Sequence, residues 1–196
     1  MIVVVGLPRL QGVSPPTAAG LAVSIATRVA AAGAAVQLLG KVGDDPEGDL
    51  LLLDLAAKGV AHPALLRDPV RRTALADGRA DGPPPTLEPA DVELGLRYVP
   101  DFRVLVLAAP ELPSLLAAAA EAAGFAGAHL IVIAPPRATL GELPAASTVV
   151  TAARGEQGDG GLAALVASYA VALDAGEDSA RAWRKATDVA GASSLA

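Results

Sequence analysis

The chain has 196 residues, of which 53% are hydrophobic and only 3% aromatic, and its formal net charge is −6. This length suits one domain with an aliphatic core. The acidic charge argues against a general nucleic-acid-binding protein, because neutralising phosphates requires a basic face. The lack of cysteine excludes disulfides, thiolate nucleophiles and cysteine metal sites. The apolar N-terminal run, MIVVVG, is too short for a signal peptide or a membrane span, so we expect a cytoplasmic protein without a membrane or nucleic-acid partner.

Short β-branched runs alternate with helical patterns in the first part of the chain. Ile2 to Val5 is a continuous apolar run, typical of a strand buried on both faces. Residues 17–32 predict a helix, and residues 35–40 predict a second strand. Asp45 followed by Pro46 predicts the start of the next helix, with Asp as the N-cap and Pro at the first helical position.

Residues 67–85 form the least regular part and carry four arginines, for which two interpretations stay open. The arginines could form a patch that binds an anion or a partner. They could also be the solvated charges of an edge strand and a loop, which is the commoner role of such charges. The four are Arg67, Arg71, Arg72 and Arg79.

The second half continues the same alternation. A short helix is predicted from Pro89, and an alanine-rich helix over residues 112–123. Strands are predicted at 104–108, at 130–134 and at Val149-Val150. This order predicts a mainly parallel sheet with helices on both faces, in a single three-layer α/β domain spanning residues 1–196.

The stretch from Ala19 to Gly48 resembles the first signature of the PfkB (ribokinase-like) carbohydrate kinases. Small residues and glycines recur at the family's spacing, and GKVGDDPEG at residues 40–48 is the more specific half. One position differs, since Ser24 stands where the family has Asn. The resemblance implies a ribokinase-like (Rossmann-like) fold and a family reaction that moves the γ-phosphate of ATP, with Mg²⁺, to a sugar or nucleoside hydroxyl. It also implies a substrate pocket near Gly20, Ser24, Lys41 and Asp44, while Asp45 serves as the helix cap.

The segment after the first strand departs from the family. In PfkB kinases this strand runs into a substrate-binding Asp and then into a small β-lid. Here the Asp position falls near Gln11, and residues 7–16 leave hardly any chain for a lid. We therefore expect no β-lid, and either a monomer or a dimer that forms through another surface.

The family's catalytic turn, GAGD, opens a late helix whose N–H groups hold the transferring phosphate, and an upstream NxxE motif helps place Mg²⁺. The resemblance assigns Glu156 to the metal and Asp159 to the general base. It assigns the anion-holding turn to Gly158, Gly160 and Gly161. Ala153 stands at the Asn of NxxE, and the segment that houses adenine in the family is missing between Glu156 and Gly158.

Two alignments of the catalytic Asp stay open. Matching the Gly-Asp pair places the base at Asp159, whereas counting back from Gly176 without a gap places it at Ala163, and then no base exists. The glycine-rich loop has a second interpretation as well, as a helix-capping loop in which Asp159 favours the helix dipole.

Three functions compete. The chain could be a small active kinase using ATP and Mg²⁺, or a kinase-like protein that has lost catalysis and binds a small ligand or a protein without a cofactor. It could also be an alanine-rich assembly module whose sheet edge pairs with another subunit. The missing nucleotide segment favours the second function over the first.

Overall fold

The computed structural model describes residues 1–12, 14–78, 82–99, 101–109, 112–152 and 160–193. Strands and helices follow one another along the described chain. They are β1 Ile2–Val5, β2 Arg9–Gln11, β3 Thr17–Ala19, α1 Leu21–Ala31, β4 Val36–Gly43, α2 Pro46–Ala57, β5 Leu65–Asp68, α3 Pro89–Arg97, β6 Val104–Leu107, α4 Leu112–Ala126, β7 His129–Ala134, β8 Ser147–Thr151, α5 Gly160–Asp174 and α6 Ser179–Ser193.

Six of the strands form one parallel sheet in the order β5-β4-β1-β6-β7-β8. Helices α1, α2, α5 and α6 contribute to the core on one face of this sheet, and α3 and α4 to the core on the other. Strands β1 and β6 are buried throughout because both of their faces are covered. The predicted three-layer α/β fold with a mainly parallel sheet is confirmed.

Strand β5 is the element of the sheet that the apolar pattern did not predict. Its sequence, LLRD, has only two apolar residues, and only Leu65 among its residues is buried. An edge strand needs no second apolar face, so the pattern that indicates β1 or β6 is missing here. Arg67, one of the four arginines considered above, lies on this edge strand.

The segment between β1 and α1 forms a second, two-stranded antiparallel sheet of β2 and β3. Each strand has three residues, and α1 accordingly begins at Leu21 instead of residue 17. The N–H of Ala18 donates to the carboxylate of Asp54 on α2 at 2.6 Å, and Leu10 bridges to Leu75. The segment that we judged too short for a β-lid therefore does form a small sheet, which packs against α2.

The carboxylate of Asp45 joins three parts of the fold. It caps α2 by accepting from the Gly48 N–H at 2.8 Å, as the Asp-Pro pair predicted. It also accepts from the backbone N–H of Thr73 at 2.8 Å and from its hydroxyl at 2.6 Å. The same hydroxyl oxygen accepts from the Gly43 N–H at the end of β4. Asp45 and Thr73 are both buried, so these bonds form away from water, where a lost partner is costly.

Hydrogen bonding sets the ionisation of Asp45. Burial acts to raise its pKa, but the hydrogen bonds from Thr73 and Gly48 outweigh burial and hold the pKa below its ordinary value of 3.8. The ionised carboxylate therefore stabilises the fold fully above the ordinary carboxyl pKa, and this contribution is lost as the pH falls through the lower pKa of the folded state.

We predict that Asp45→Ala lowers the free energy of unfolding by about 2–3 kcal/mol at pH 7, because a helix cap is lost and the buried Thr73 groups lose their acceptor. Urea denaturation at pH 7 and at pH 3 measures this. The difference between the wild type and Asp45→Ala should shrink at pH 3. Asp49→Ala, which changes an exposed acid of the same helix, is the matched control, and an equal loss in both variants would contradict the role of Asp45.

No helix in the described ranges is both long and apolar enough to cross a lipid bilayer.

Candidate functional site at the carboxyl edge of the sheet

The sheet changes its direction of growth beside β1. From β1 the chain adds β4 and β5 on one side, and then returns to add β6, β7 and β8 on the other. Open α/β sheets bind ligands in the crevice at such a switch point, beyond the carboxyl ends of the strands. Gly6, directly after β1, lies there, and a Cβ at this position would come within 2.6 Å of the Ala22 side chain and 2.7 Å of the Ala108 carbonyl oxygen. The backbone at Gly6 thus lies so close to α1 and to the Ala108 carbonyl that only glycine fits at this position.

Lys41 carries a positive charge that an ion pair holds in place at this edge. Its Nζ lies 2.7 Å from Oδ2 of Asp91, and both side chains are largely buried, with 17% and 15% exposure. Asp91 also accepts from the Glu88 N–H at 2.9 Å at the start of α3. The capping carboxylate of one helix therefore holds the lysine ammonium near the carboxyl end of β4.

The two aspartates of the GKVGDD stretch separate into different roles. Both carboxylate oxygens of Asp45 accept hydrogen bonds within the fold, as described above. Asp44 is exposed, and its N–H donates to the Asp68 carbonyl at 2.9 Å. Of the two, Asp44 is the one whose side chain stands open to solvent beside the strand end.

The other two residues predicted for the substrate pocket lie on the opposite face of the sheet from Asp91. Gly20 is the N-cap of α1 with φ of 111°, and Ser24 is exposed in the first turns of that helix. Helix α1 packs on one face of the sheet, whereas Lys41 reaches α3 on the other. Gln11, at the family's Asp position, is exposed on β2. The described side-chain contacts do not join Ser24, Lys41 and Gln11 to one another.

Helix α5 begins at Gly160, after the carboxyl end of β8. Arg28 of α1 reaches this helix start, because its Nη2 lies 3.2 Å from the position that a Cβ on Gly160 would take. The positive end of the helix and a guanidinium thus lie together, which favours an anion. Gly161 lies in the first turn. Ala163 is buried in the core, so the alignment that places the base there leaves no reactive group at the helix start.

Residues 153–159 lie outside the described chain, and with them the predicted metal residue Glu156, the turn residue Gly158 and the predicted base Asp159. Their roles stay predictions.

The described residues do not by themselves supply an adenine pocket or a cluster of metal ligands. No strand or helix of the described chain lies between β8 and α5 to form an adenine pocket. Among the described residues, no three His, Asp or Glu side chains gather as ligands for a metal ion. Among the described residues, this edge presents a lysine, an exposed aspartate and a helix N-terminus.

Solved structures with the same architecture share little sequence with this chain. A PfkB protein from Polaromonas sp. JS666 matches with a TM-score of 0.67 at 15% identity, over 96% of this chain and 94% of that one. The chain has a ribokinase-like fold. An uncharacterized sugar kinase from Pyrococcus horikoshii matches with a TM-score of 0.63 at 15% identity, over 97% and 91% of the two chains. A putative ribokinase II from E. coli, in complex with ATP and Mg²⁺, matches with a TM-score of 0.63 at 13% identity, over 94% and 89%.

Other comparisons mark the limits of this likeness. In the match to the ATP complex of the Pyrococcus protein, this chain spans 54% of that protein's length, at a TM-score of 0.53. No family model matches the sequence. No curated protein matches it either.

The opposite, amino edge of this ribokinase-like sheet holds a polar cluster around His129. Its Nε2 lies 2.9 Å from the Thr148 hydroxyl, which lies 2.8 Å from the Tyr169 hydroxyl. The Tyr169 hydroxyl also lies 2.7 Å from that of Ser179, and the Tyr169 ring meets Trp183 edge to face, with centroids 5.2 Å apart. Burial lowers the pKa of His129 below 6.5. His129 is the first residue of β7, and the cluster ties β7 and β8 to α5 and α6.

Sequence reasoning missed Asp91 and Thr73, the partners of Lys41 and Asp45. Each lies far along the chain from the residue it binds, 50 positions for Asp91 and 28 for Thr73. The start of α3 at Pro89 gave one usable signal, since an acid in a first turn commonly caps.

We predict that the protein loses stability as the pH falls below about 6.5, in part through His129. The unfolded chain takes up a proton on this imidazole at a higher pH than the folded chain does, so acid favours unfolding until the folded-state pKa is passed. Melting curves between pH 7.5 and 5 measure the effect. His129→Gln should flatten this part of the profile, whereas the exposed control Lys185→Gln should not. An unchanged slope in His129→Gln would contradict the prediction.

Proposed function

We propose that this chain is a carbohydrate-kinase-like protein that binds a sugar or nucleoside at the carboxyl edge of its sheet and transfers phosphate from ATP weakly or not at all. The proposal rests on a difference between the substrate side and the nucleotide side of the site. The ribokinase-like scaffold retains a fixed lysine at the substrate side of the switch point, while the described chain has no element between β8 and α5 for a nucleotide. Some of the similar solved structures are named as kinases, which suggests ATP and a sugar hydroxyl as reactants. How much of that chemistry this chain performs must be argued from the site itself.

On the substrate side, Lys41 donates to a ligand oxygen from a position that Asp91 fixes. Asp44 accepts from ligand hydroxyls at the same strand end, and Gly20 and Ser24, at the start of α1 on the other face of the sheet, border the far side of the crevice beyond the strand ends. Polyols suit this set because each hydroxyl both donates and accepts. Fixing the ammonium in advance lowers the entropy cost of binding.

On the phosphate side, we propose Asp159 as the base and Glu156 as the metal residue in whatever transfer remains. The turn that holds the anion comprises Gly158, Gly160 and Gly161. ATP and Mg²⁺ are then the cofactors of an active form, and a non-catalytic form needs none. Losing the nucleotide pocket removes binding energy that positions the phosphate, which costs rate as well as affinity.

A non-catalytic protein-interaction module on the same scaffold is the second candidate. It is favoured by a groove of about 560 Å³ between α3 and α4, which includes Leu96, Phe102 and Phe125 in its lining. Phe125 is 96% exposed, and an exposed aromatic beside an apolar groove is typical of a contact surface.

We predict that one or more compounds in a panel of sugars and nucleosides raise the melting temperature. At a hundredfold excess over Kd the gain is about 2.7 kcal/mol, or roughly 5–10 °C for a domain of this size. Lys41→Met should reduce the shift, and Lys58→Met, which breaks an ion pair on α2, should keep it. A panel without any stabilising sugar or nucleoside would contradict ligand binding, and equal shifts in both variants would remove Lys41 from the site.

We predict that a coupled ADP-release assay with common hexoses, pentoses and nucleosides shows no turnover above a weak background. A general base alone typically contributes about 10²–10⁴-fold, and the loss of nucleotide positioning adds to that deficit. Asp159→Asn is the control. Robust turnover that Asp159→Asn abolishes would overturn the prediction and establish Asp159 as the base. Turnover that survives the change would indicate a contaminant or another site.

A further inference from the structure

Strand β8 forms one edge of the six-stranded sheet, and no described segment pairs with its outer side. Its sequence is STVVT, in which every residue after the serine is β-branched and none is charged. Thr151 and Val149 are exposed, and Val149 keeps 39% of its surface open. Natural proteins usually protect such an edge with lysine, proline, bulges or a covering segment.

The other edge of the sheet is protected in this way. Strand β5 carries Arg67 and Asp68. Arg67 donates to the Gly43 carbonyl at 3.1 Å and also pairs with Asp49. The Asp68 carboxylate accepts from the Val70 and Arg71 N–H groups. The two edges therefore differ in chemistry, and β8 is the one with the features of a pairing strand.

The hydrogen-bond register shows which groups of β8 are open. The Leu130 N–H donates to the Ala146 carbonyl and the Ala152 N–H to the Ala134 carbonyl, so the even-numbered residues exchange bonds with β7. Because successive residues of a strand alternate in direction, Ser147, Val149 and Thr151 present their N–H and C=O groups to the outer edge.

The side chains of β8 divide in a corresponding way. Val150 belongs to the core on the α5 side, and Thr148 bonds to Tyr169 there. Ser147, Val149 and Thr151 lie on the other face, which leaves them partly or fully exposed. Both the backbone and the side chain of Val149 are thus accessible at the middle of the strand.

We propose that β8 pairs antiparallel with β8 of a second copy of this chain, which makes a dimer with one sheet continuous across its twofold axis. The strand is complementary to itself about Val149. With the axis at that residue, Val149 meets its own counterpart, Ser147 meets Thr151, and Thr148 meets Val150. The outward groups can then form about six hydrogen bonds, and β-branched pairs face each other across the axis.

Three features of the edge favour a second copy of this chain as the strand that pairs with β8. The strand has no charge to repel an identical strand, a closed twofold pairing satisfies both copies at once, and no edge remains for further addition on that side. The contact is small, since five residues contribute the backbone bonds. We therefore expect a dimer dissociation constant on the order of 10–100 µM, within the weak class of interfaces.

Sedimentation velocity from about 1 to 200 µM tests the proposal, with the full chain and no ligand. The wild type should pass from monomer to dimer over this range. Val149→Pro removes the central outward N–H without removing a bond to β7, and proline is tolerated at such edge positions. It should weaken association at least tenfold. Val149→Lys, which places two like charges at the axis, should do the same, and circular dichroism should show both variants folded. Val149→Thr keeps the N–H and the branched side chain, so it should still dimerise.

A wild type that stays monomeric at 200 µM would overturn the proposal. A dimer that survives Val149→Pro and Val149→Lys but dissociates in Phe125→Glu would also overturn it, because the groove between α3 and α4 would then be the interface.

Discussion

The buried carboxylate of Asp45 fixes the geometry on which the rest of the carboxyl edge depends. It holds the start of α2, the end of β4 and the segment at Thr73 in one hydrogen-bonded unit. The space is so tight that a Cβ on Gly43 would overlap the Asp45 carboxylate and lie 2.6 Å from the Thr73 nitrogen. The GKVGDD stretch thus specifies a backbone shape first. Only the side chains that this shape leaves free are then available to contact a ligand.

That constraint explains why Lys41, and not Asp45, is the candidate for ligand contact at this edge. Asp45 has no free carboxylate oxygen, so it can neither bind a cation nor take a proton from a substrate without destabilising α2. Lys41 lies four residues earlier, on a strand whose end is fixed by Asp45, and Asp91 holds its ammonium from α3. A lysine anchored on a strand and oriented by a capping acid is a well-ordered donor, as preorganised binding requires.

The sequence predicted those features that depend on neighbouring residues. Buried strands such as β1 and β6 show themselves as apolar runs, and the cap at Asp45 shows itself as an Asp-Pro pair. Strand β5 and the β2–β3 hairpin were missed because an edge strand and three-residue strands carry little pattern. The partners Thr73 and Asp91 could not be predicted, since only the folded sheet brings them to Asp45 and Lys41. Sequence likewise could not show that Gly20 and Ser24 lie on the other face from Asp91.

Helix α5 has a structural role that does not depend on kinase chemistry. The resemblance predicts a phosphate turn at its start, while its body supplies core residues such as Ala163, Val166 and Tyr169 on one face of the sheet. Tyr169 also connects His129 and Thr148 of the sheet to Ser179 of α6. Removing this helix would expose a large part of that core and leave polar groups unpaired, at a cost far above the few kcal/mol of net stability that a domain has. The helix is therefore required for folding whether or not its N-terminus holds a phosphate, and its presence alone is no evidence of catalysis.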